Sequence, residues 1–530
     1  MTATLYVINP KSDFPTYFAA ESFQAWGLRG ATQMADPSSA TVAAFAQRFM
    51  NVEICDQMVA PINYDHPAGV IAITGKITQV NSMIEIAREF RSRGKQVVIG
   101  GPLASLAPDR LRPHCDVLVR NEIEEIADEL FSDLACGRAK DEYVGGRPDL
   151  SLSPVPAWSI YPNERAIMGT VQTSRGCPFE CEFCDVIVYV GRKQRHKSIA
   201  QVLAELSALY ELGYRRIFLA DDNFTVVRSR AKELLIALKA WNDARELGKV
   251  RFVTQVSIDI AREDEILQLS AEAGLTQMFI GIETPNEASL REAKKRQNLR
   301  RNLIDEIASF YRHGIMVVGG MIVGFDADGP DIFERQFAFA MDSAIPIFSL
   351  GALVAPVATP LHARLRKANR LNDSAVETAA TPFMTNIVHP QLSQEELVRG
   401  LRWLANALYS PENFGTRIVD FIARLGPRTD PSFKHPTGTS QLRRVEKDGF
   451  SVISRLRRLG EAEQTMWTRI MTAALRKPES MDFVLDIVAH YMQIRFMYAT
   501  GQFWDPQLGS APTPRAEPSA GKLSLPVLAQ

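Results

Sequence analysis

The chain has 530 residues, 46% of them hydrophobic and 23% charged, with a formal net charge of −1. That length asks for several domains with real cores, and the balanced charge leaves no electrostatic footprint for nucleic acid or an anionic membrane. No basic segment followed by an apolar run opens the chain, and the most apolar long stretch, residues 344–358, is too short to span a bilayer and carries Pro346 and Pro356, so a soluble, cytoplasmic protein is expected.

Short apolar runs at residues 5–9, 52–55, 70–74, 96–99 and 116–119 predict strands. Ile77, Val80, Ile84, Ala87 and Phe90 share one helical face, and residues 122–134 read as an acidic helix. Strands alternating with helices predict a parallel sheet covered on both faces. Residues 1–142 are therefore expected to form a doubly wound, Rossmann-like or flavodoxin-like α/β domain. Residues 143–168 hold Gly145, Gly146, Pro148, Pro154, Pro156 and Pro162 with little periodicity and read as a linker. The alternation restarts at residue 169, with strands at 169–173, 216–220, 251–256, 277–282, 317–323 and 348–354 and helices such as 199–212 and 228–243. Six βα units within residues 169–369 predict a curved or barrel-like parallel sheet, with ligands at the C-terminal strand ends. Residues 370–505 read as a helical domain, with helices at 394–409, 412–425 and 481–497. Residues 506–530, rich in Pro, Ser, Ala and Gly, read as a disordered tail.

Of six cysteines, Cys55, Cys115 and Cys136 are scattered, and no disulfide framework is expected. The other three form Cys177-Pro-Phe-Glu-Cys181-Glu-Phe-Cys184, a C-x3-C-x2-C pattern. Closely spaced thiolates suit an iron–sulfur cluster, and three of them leave a cubane's fourth iron open. A structural zinc ion would want a fourth ligand, which His196 could supply.

With Phe183 before the last cysteine and the lead-in Thr173-Ser-Arg-Gly-Cys-Pro178, this motif resembles that of the radical S-adenosylmethionine (SAM) superfamily. The resemblance implies a [4Fe–4S] cluster on Cys177, Cys181 and Cys184 whose open iron binds the amino and carboxylate groups of SAM. One electron, from a donor such as flavodoxin or ferredoxin, would cleave SAM to methionine and a 5′-deoxyadenosyl radical. The resemblance spans roughly residues 165–365, and it implies the family's fold, a partial (β/α)6 TIM barrel, with the motif after its first strand. Asp221, Asp222 and Asn223 stand where the family contacts the SAM amino group, in place of the common Gly-Gly-Glu; a helix cap is the alternative. Gln255, ending the third strand, either faces the active site or is solvated. Gly281-Ile-Glu-Thr-Pro285 resembles the stretch near the SAM ribose, with Glu283 as the polar contact. Gly320-Met-Ile-Val-Gly324 resembles the strand beside the adenine, though Phe325 and Asp326 follow where Pro-Gly-Glu is often found.

A Rossmann-like domain before such a core resembles the cobalamin-binding class of the superfamily. Gly100-Gly101 resembles the glycine pair that lets the nucleotide tail of cobalamin approach, and an ordinary tight turn is the alternative. Thr74, Gly75 and Lys76 are further candidate contacts. The cobalt-ligating D-x-H-x-x-G motif is absent: His66-Pro-Ala-Gly69 has Tyr64 where Asp is required, so cobalamin is expected without a histidine on cobalt. Cys55, Cys115 and Cys136 lack the spacing of the methylthiotransferases. The helical C-terminal region, with Cys184-Asp-Val-Ile-Val-Tyr-Val-Gly-Arg192, resembles the subgroup that includes hopanoid methylases. It implies methyl transfer to an unactivated carbon of a small-molecule or lipid-like substrate. The alternatives are a cobalamin-assisted radical cyclase or rearrangement enzyme, and an iron–sulfur protein without SAM chemistry. Residues 348–357 could shape an apolar pocket or be plain core. Arg192, Lys193, Arg195 and Lys197 could bind phosphate or carboxylate groups or form a solvated charge run.

Overall fold

The computed structural model describes residues 3–372, 383–434, 438 and 442–505; the tail expected from residue 506 lies outside them. The chain builds two parallel sheets. Its first strands are β1 (Thr4–Asn9), β2 (Thr32–Met34), β3 (Asn51–Asp56), β4 (Val70–Thr74), β5 (Gln96–Gly100), β6 (Val117–Arg120) and β7 (Glu142–Val144). All but β2 form one sheet in the order β3-β1-β4-β5-β6-β7, parallel throughout. Alternate residues of β1 serve opposite faces. Leu5 and Val7 join the main core, while Tyr6 and Ile8 join a separate cluster with Val80, Met83, Ala87 and Phe90. Burial on both faces is why these strands read as unbroken apolar runs. The strand order reverses direction between β1 and β4, and ligands of open α/β sheets gather in the crevice at such a point.

The second sheet contains β8 (Ala166–Val171), β11 (Arg216–Leu219), β12 (Arg251–Val256), β13 (Leu275–Glu283), β14 (Met316–Val323) and β15 (Ile347–Ala352). A two-residue antiparallel ladder, β9 (Ser174–Arg175) with β10 (Arg195–His196), brackets the cysteine loop. The sheet order is β15-β14-β13-β12-β11-β8-β2, an open parallel half-barrel.

The seventh strand corrects the expected division at residue 142. β2 belongs to the N-terminal stretch yet pairs with β8, Thr32 beside Ala166 and Met34 beside Met168. The edge of β8 would otherwise present unpaired backbone groups. The expected linker is also shorter than 143–168: β7 runs to Val144, and β8 begins at Ala166.

The C-terminal region is helical: Gln394–Tyr409, Pro411–Arg424, Arg444–Ser454, Glu461–Arg476 and Met481–Thr500. Ser393 and Glu396 form a capping box on the first, and Ser410 with Pro411 starts the second. The last helix buries Phe483, Ile487, Tyr491, Ile494 and Tyr498, each worth about 1.5–3 kcal/mol of apolar burial. Asp482 pairs with Arg251, and Asp486 with Arg216. Those arginines begin β12 and β11, so this helix lies across the N-terminal mouth of the half-barrel. Tyr17 and Phe18, from the segment before β2, complete the floor. The Tyr17 hydroxyl donates to the Leu350 carbonyl at 3.0 Å, and Phe18 meets Phe279 edge-on at 5.9 Å. Among the described residues, no helix is long and apolar enough to cross a membrane.

Candidate active site

The open mouth of the half-barrel carries the cysteine loop, directly after β8. Asp221, at the end of β11, is fully buried. It accepts hydrogen bonds from Thr173 N (2.8 Å), Thr173 Oγ1 (2.6 Å) and Ser174 N (2.6 Å). Burial pushes its carboxyl up to about 6. Asp222 accepts from Gly176 N at 2.7 Å, one residue before Cys177. The expected role of Asp221 as a SAM contact is therefore corrected: both its oxygens are spent anchoring the loop. The helix-cap alternative fails too, because the next helix begins at Arg228 with Val227 as its cap position. Asn223 donates to Ser257 Oγ at 2.6 Å, while its Oδ1 is buried without a donor.

All three cysteines of the loop are free thiols. Burial pushes Cys177 up to about 11 and Cys184 up to about 12. Gln297 Nε2 reaches Cys181 Sγ at 3.7 Å. Phe183 packs edge-on against Phe325, 6.2 Å between centroids. Beside the loop, Lys295 donates to Glu283 Oε1 at 2.6 Å. Burial works against the Lys295 charge, but Glu283, with Cys181 and Cys184 beyond it, raises its pKa overall. Glu283 adopts φ +62° at an irregularity between β13 and β14, and its engaged carboxylate leaves it less open to a ribose than the sequence suggested. A Cβ at Gly281 would lie 2.3 Å from Glu283 Oε1 and 2.7 Å from Lys295 Nζ, so a larger residue would push this ion pair aside.

Of the other expected residues, Gln255 is half-buried and its side chain has no protein partner among the described residues. At Gly320 a Cβ would meet the Phe279 ring at 3.0 Å. Gly324, at φ +99°, makes the turn after β14 and donates to Asp328 at 2.9 Å. Phe348, Leu350 and Leu353 are buried core. The basic run after the cysteines is largely spent internally. Arg195 pairs with Glu122, Lys197 with Glu205, and Arg192 with Glu180.

The first sheet turns the C-terminal ends of its strands toward this mouth. A cavity of about 280 Å³ descends from Gly100 and Gly101 into the first domain. Its walls are the sheet residues Ala72, Val98 and Val119 and the helix residues Val42, Phe131 and Leu134, and at its outer end it reaches Arg175 and Tyr189 of the cysteine segment. A second cavity of about 300 Å³ lies over the switch point, lined by Asn9, Thr74, Gly75 and Lys76 on one side and Thr170 and Phe218 of the half-barrel on the other. Gly101 has φ +91°, and a Cβ there would lie 2.8 Å from Thr74 Oγ1. His66 stacks on Tyr6 at 4.1 Å and meets Glu53 at 3.1 Å. A buried ion cluster joins the two sheets. Arg175 lies 2.6 Å from Glu122 and 2.8 Å from Glu124. Sequence reasoning missed these two acids and Lys295, because nothing local marks a charge that will be buried against a distant partner.

Residues 171–335 match the radical SAM superfamily, and residues 359–500 match a domain of unknown function, DUF4070. An uncharacterized methyltransferase of Synechocystis sp. is 36% identical over 377 residues, 70% of this chain and 69% of that protein. This chain belongs to the radical SAM superfamily, in its class of cobalamin-dependent methyltransferases. The hopanoid C-2 methylase of Rhodopseudomonas palustris is 28% identical to this radical SAM enzyme over 462 residues, 86% of each chain. In fold, the enzyme resembles the structure of the cobalamin-dependent SAM radical enzyme OxsB with aqua-cobalamin and SAM bound. The TM-score is 0.60 at 14% identity, over 94% of this chain and 80% of that one.

The donor set of this radical SAM enzyme fits an anionic iron–sulfur cluster. Three unpaired thiols share one loop, and a buried lysine stands near two of them. Among the described residues no three Cys, His, Asp or Glu side chains converge on a single ion; a cubane instead places each thiolate on a separate iron. The orphaned Asn223 Oδ1 is a buried acceptor at the same strand ends, open to a ligand's N–H.

Proposed function

We propose that the enzyme moves a methyl group from SAM, through cobalamin, to an unactivated carbon of a small molecule held at the mouth of the half-barrel. The cavity below Gly100 and Gly101 carries this reading. It is a deep, mostly apolar slot between sheet and helices, suited to the flat base of a nucleotide tail, and it opens toward the cysteine loop. Cys177, Cys181 and Cys184 would hold the cluster. Asp222, Asn223 and Gln255 would face SAM, and Gly320 makes room for the Phe279 ring that packs against it. Thr74, Gly75, Lys76, Gly100 and Gly101 would seat the corrinoid. When bound, the cluster supplies the electron that cleaves SAM, and the corrinoid carries the methyl group.

The chain's own contribution is placement. Asp221 and Asp222 fix the approach to Cys177 through backbone N–H groups, and Phe183 packs the loop onto Phe325. Tyr17, Phe18 and the last helix pack across the opposite mouth, so the cysteine loop and the ligands it would hold lie at the other end of the half-barrel. His66, committed to Tyr6 and Glu53, supports a corrinoid without a histidine on cobalt.

Anaerobic incubation with SAM, cobalamin and a low-potential reductant tests this reading. Cobalamin-dependent S-adenosylhomocysteine together with 5′-deoxyadenosine is the expected result. 5′-Deoxyadenosine alone would contradict methyl transfer and favour a rearrangement.

A further inference from the structure

Basic side chains crowd the cysteine loop. Several are paired, Lys294 and Arg364 with Glu182, Arg291 with Glu287, Arg301 with Glu306 and Arg370 with Asp326, while others face solvent without a carboxylate partner among the described residues. Residues 291–301 hold six basic side chains and one acid, and residues 364–370 hold four basic side chains and no acid, in a chain of net charge −1. The fold divides the first group in two. Lys295 and Gln297 turn inward, onto Glu283 and Cys181 respectively, while Lys294, Arg296 and Arg300 of the same stretch are exposed. Lys193 is exposed just beyond the cysteine loop, and Lys367 is exposed at the end of the helix Pro360–Lys367. That helix is tied to the loop: Leu361 N donates to Glu182 O at 3.0 Å, and Arg364 pairs with Glu182 at 2.9 Å. Lys193, Arg296, Arg300 and Lys367 make no ion pair among the described residues.

This basic turn is also thin. Arg296 and Gln297 are adjacent in one 3-10 turn, Arg296–Asn298, with the first in solvent and the second 3.7 Å from a cysteine sulfur. We propose that this surface, formed around Lys193, Lys294, Arg296, Arg300 and Lys367, docks an acidic one-electron carrier and admits its electron beside Cys181. The inference rests on the reading of the three cysteines as cluster ligands. In the step, the reduced carrier loses one electron and the oxidised cluster gains it; no bond or proton need move. A single-sign patch steers an oppositely charged partner, speeding association roughly 10- to 1000-fold at low salt.

The test uses the reconstituted enzyme and reduced flavodoxin as the acidic carrier, with the rate of cluster reduction followed optically. The triple variant K193E/R296E/R300E is expected to be reduced at least about tenfold more slowly at low salt. The parent's rate should fall as salt rises, and the variant's should not. Iron content and the electron paramagnetic resonance signal after exhaustive chemical reduction should match the parent. K367E, on a separate helix, should slow the reaction about two- to threefold and guards against loss of fold in the triple variant. Equal rates for parent and variants at low salt, or a parent rate indifferent to salt, would overturn the proposal while leaving the cluster assignment standing. A parent that takes up no cluster would overturn both.

Discussion

Arg175 and Glu122 stand 2.6 Å apart across the junction of the two sheets, one immediately before the cysteine loop and the other just after β6. Burial alone would lower the arginine's pKa, but Glu124 and Glu122 outweigh it and hold the group charged. The pair thus fixes the cysteine loop against the domain that carries the Gly100–Gly101 cavity.

Replacing Arg175 with Met should destabilise the protein by about 3–5 kcal/mol, because two carboxylates lose a buried partner. Denaturant unfolding checks this. Burial pushes Glu124 up, yet Arg175 and Ser153 bring it below the usual value overall. A depressed carboxylate adds stability that is present above its unfolded pKa and lost as pH falls through the folded one. The parent should therefore lose stability on acidification below about pH 4.3, and R175M should show less of that loss.

Asp221 titrates in the opposite sense. Its folded pKa of about 6 lies above the ordinary aspartate value, so the folded state holds the proton more tightly. Stability should fall as pH rises from about 4 toward 6. D221N keeps the shape and should flatten that dependence while retaining iron. An unchanged pH profile would contradict the dominance of burial over the three hydrogen bonds, which by themselves favour the charged carboxylate.

Ala72→Leu should fill the slot between the first sheet and its helices. Cobalamin binding should weaken at least about tenfold, with iron content unchanged and a stability cost of about 1–3 kcal/mol. G101A should weaken it too, at a further cost of about 1–3 kcal/mol for a backbone conformation that favours glycine. G100A, whose Cβ would meet only Val119 at 3.6 Å, should fold normally. Spectral titration of hydroxocobalamin separates the three.

What the sequence disclosed was local. Three cysteines within eight residues need no fold to be recognised, and runs such as residues 70–74 and 96–99 read as strands because burial on both faces removes polar interruptions. What it concealed was pairing at a distance. β2 is three residues long, and only its ladder with β8, more than 130 positions on, makes it a strand. Asp221 looked free for a ligand until Thr173 and Ser174 were seen to bind it. The basic run after the cysteines read as either an anion site or a solvated run, because the partners of Arg195 and Lys197, Glu122 and Glu205, are remote or hidden in a helix. Glu122 and Glu124 themselves read as the start of an ordinary acidic helix, which in fact begins at Ala127.

The most direct test of the account is metal and corrinoid content after anaerobic reconstitution with iron, sulfide and hydroxocobalamin, followed by desalting. About four irons and about one cobalt per chain are expected, with cobalt lost in A72L and iron lost when any of Cys177, Cys181 or Cys184 becomes Ala. Four irons with no retained cobalt would contradict the central claim: it would leave the radical SAM core in place and reduce the first domain and its cavity to a scaffold.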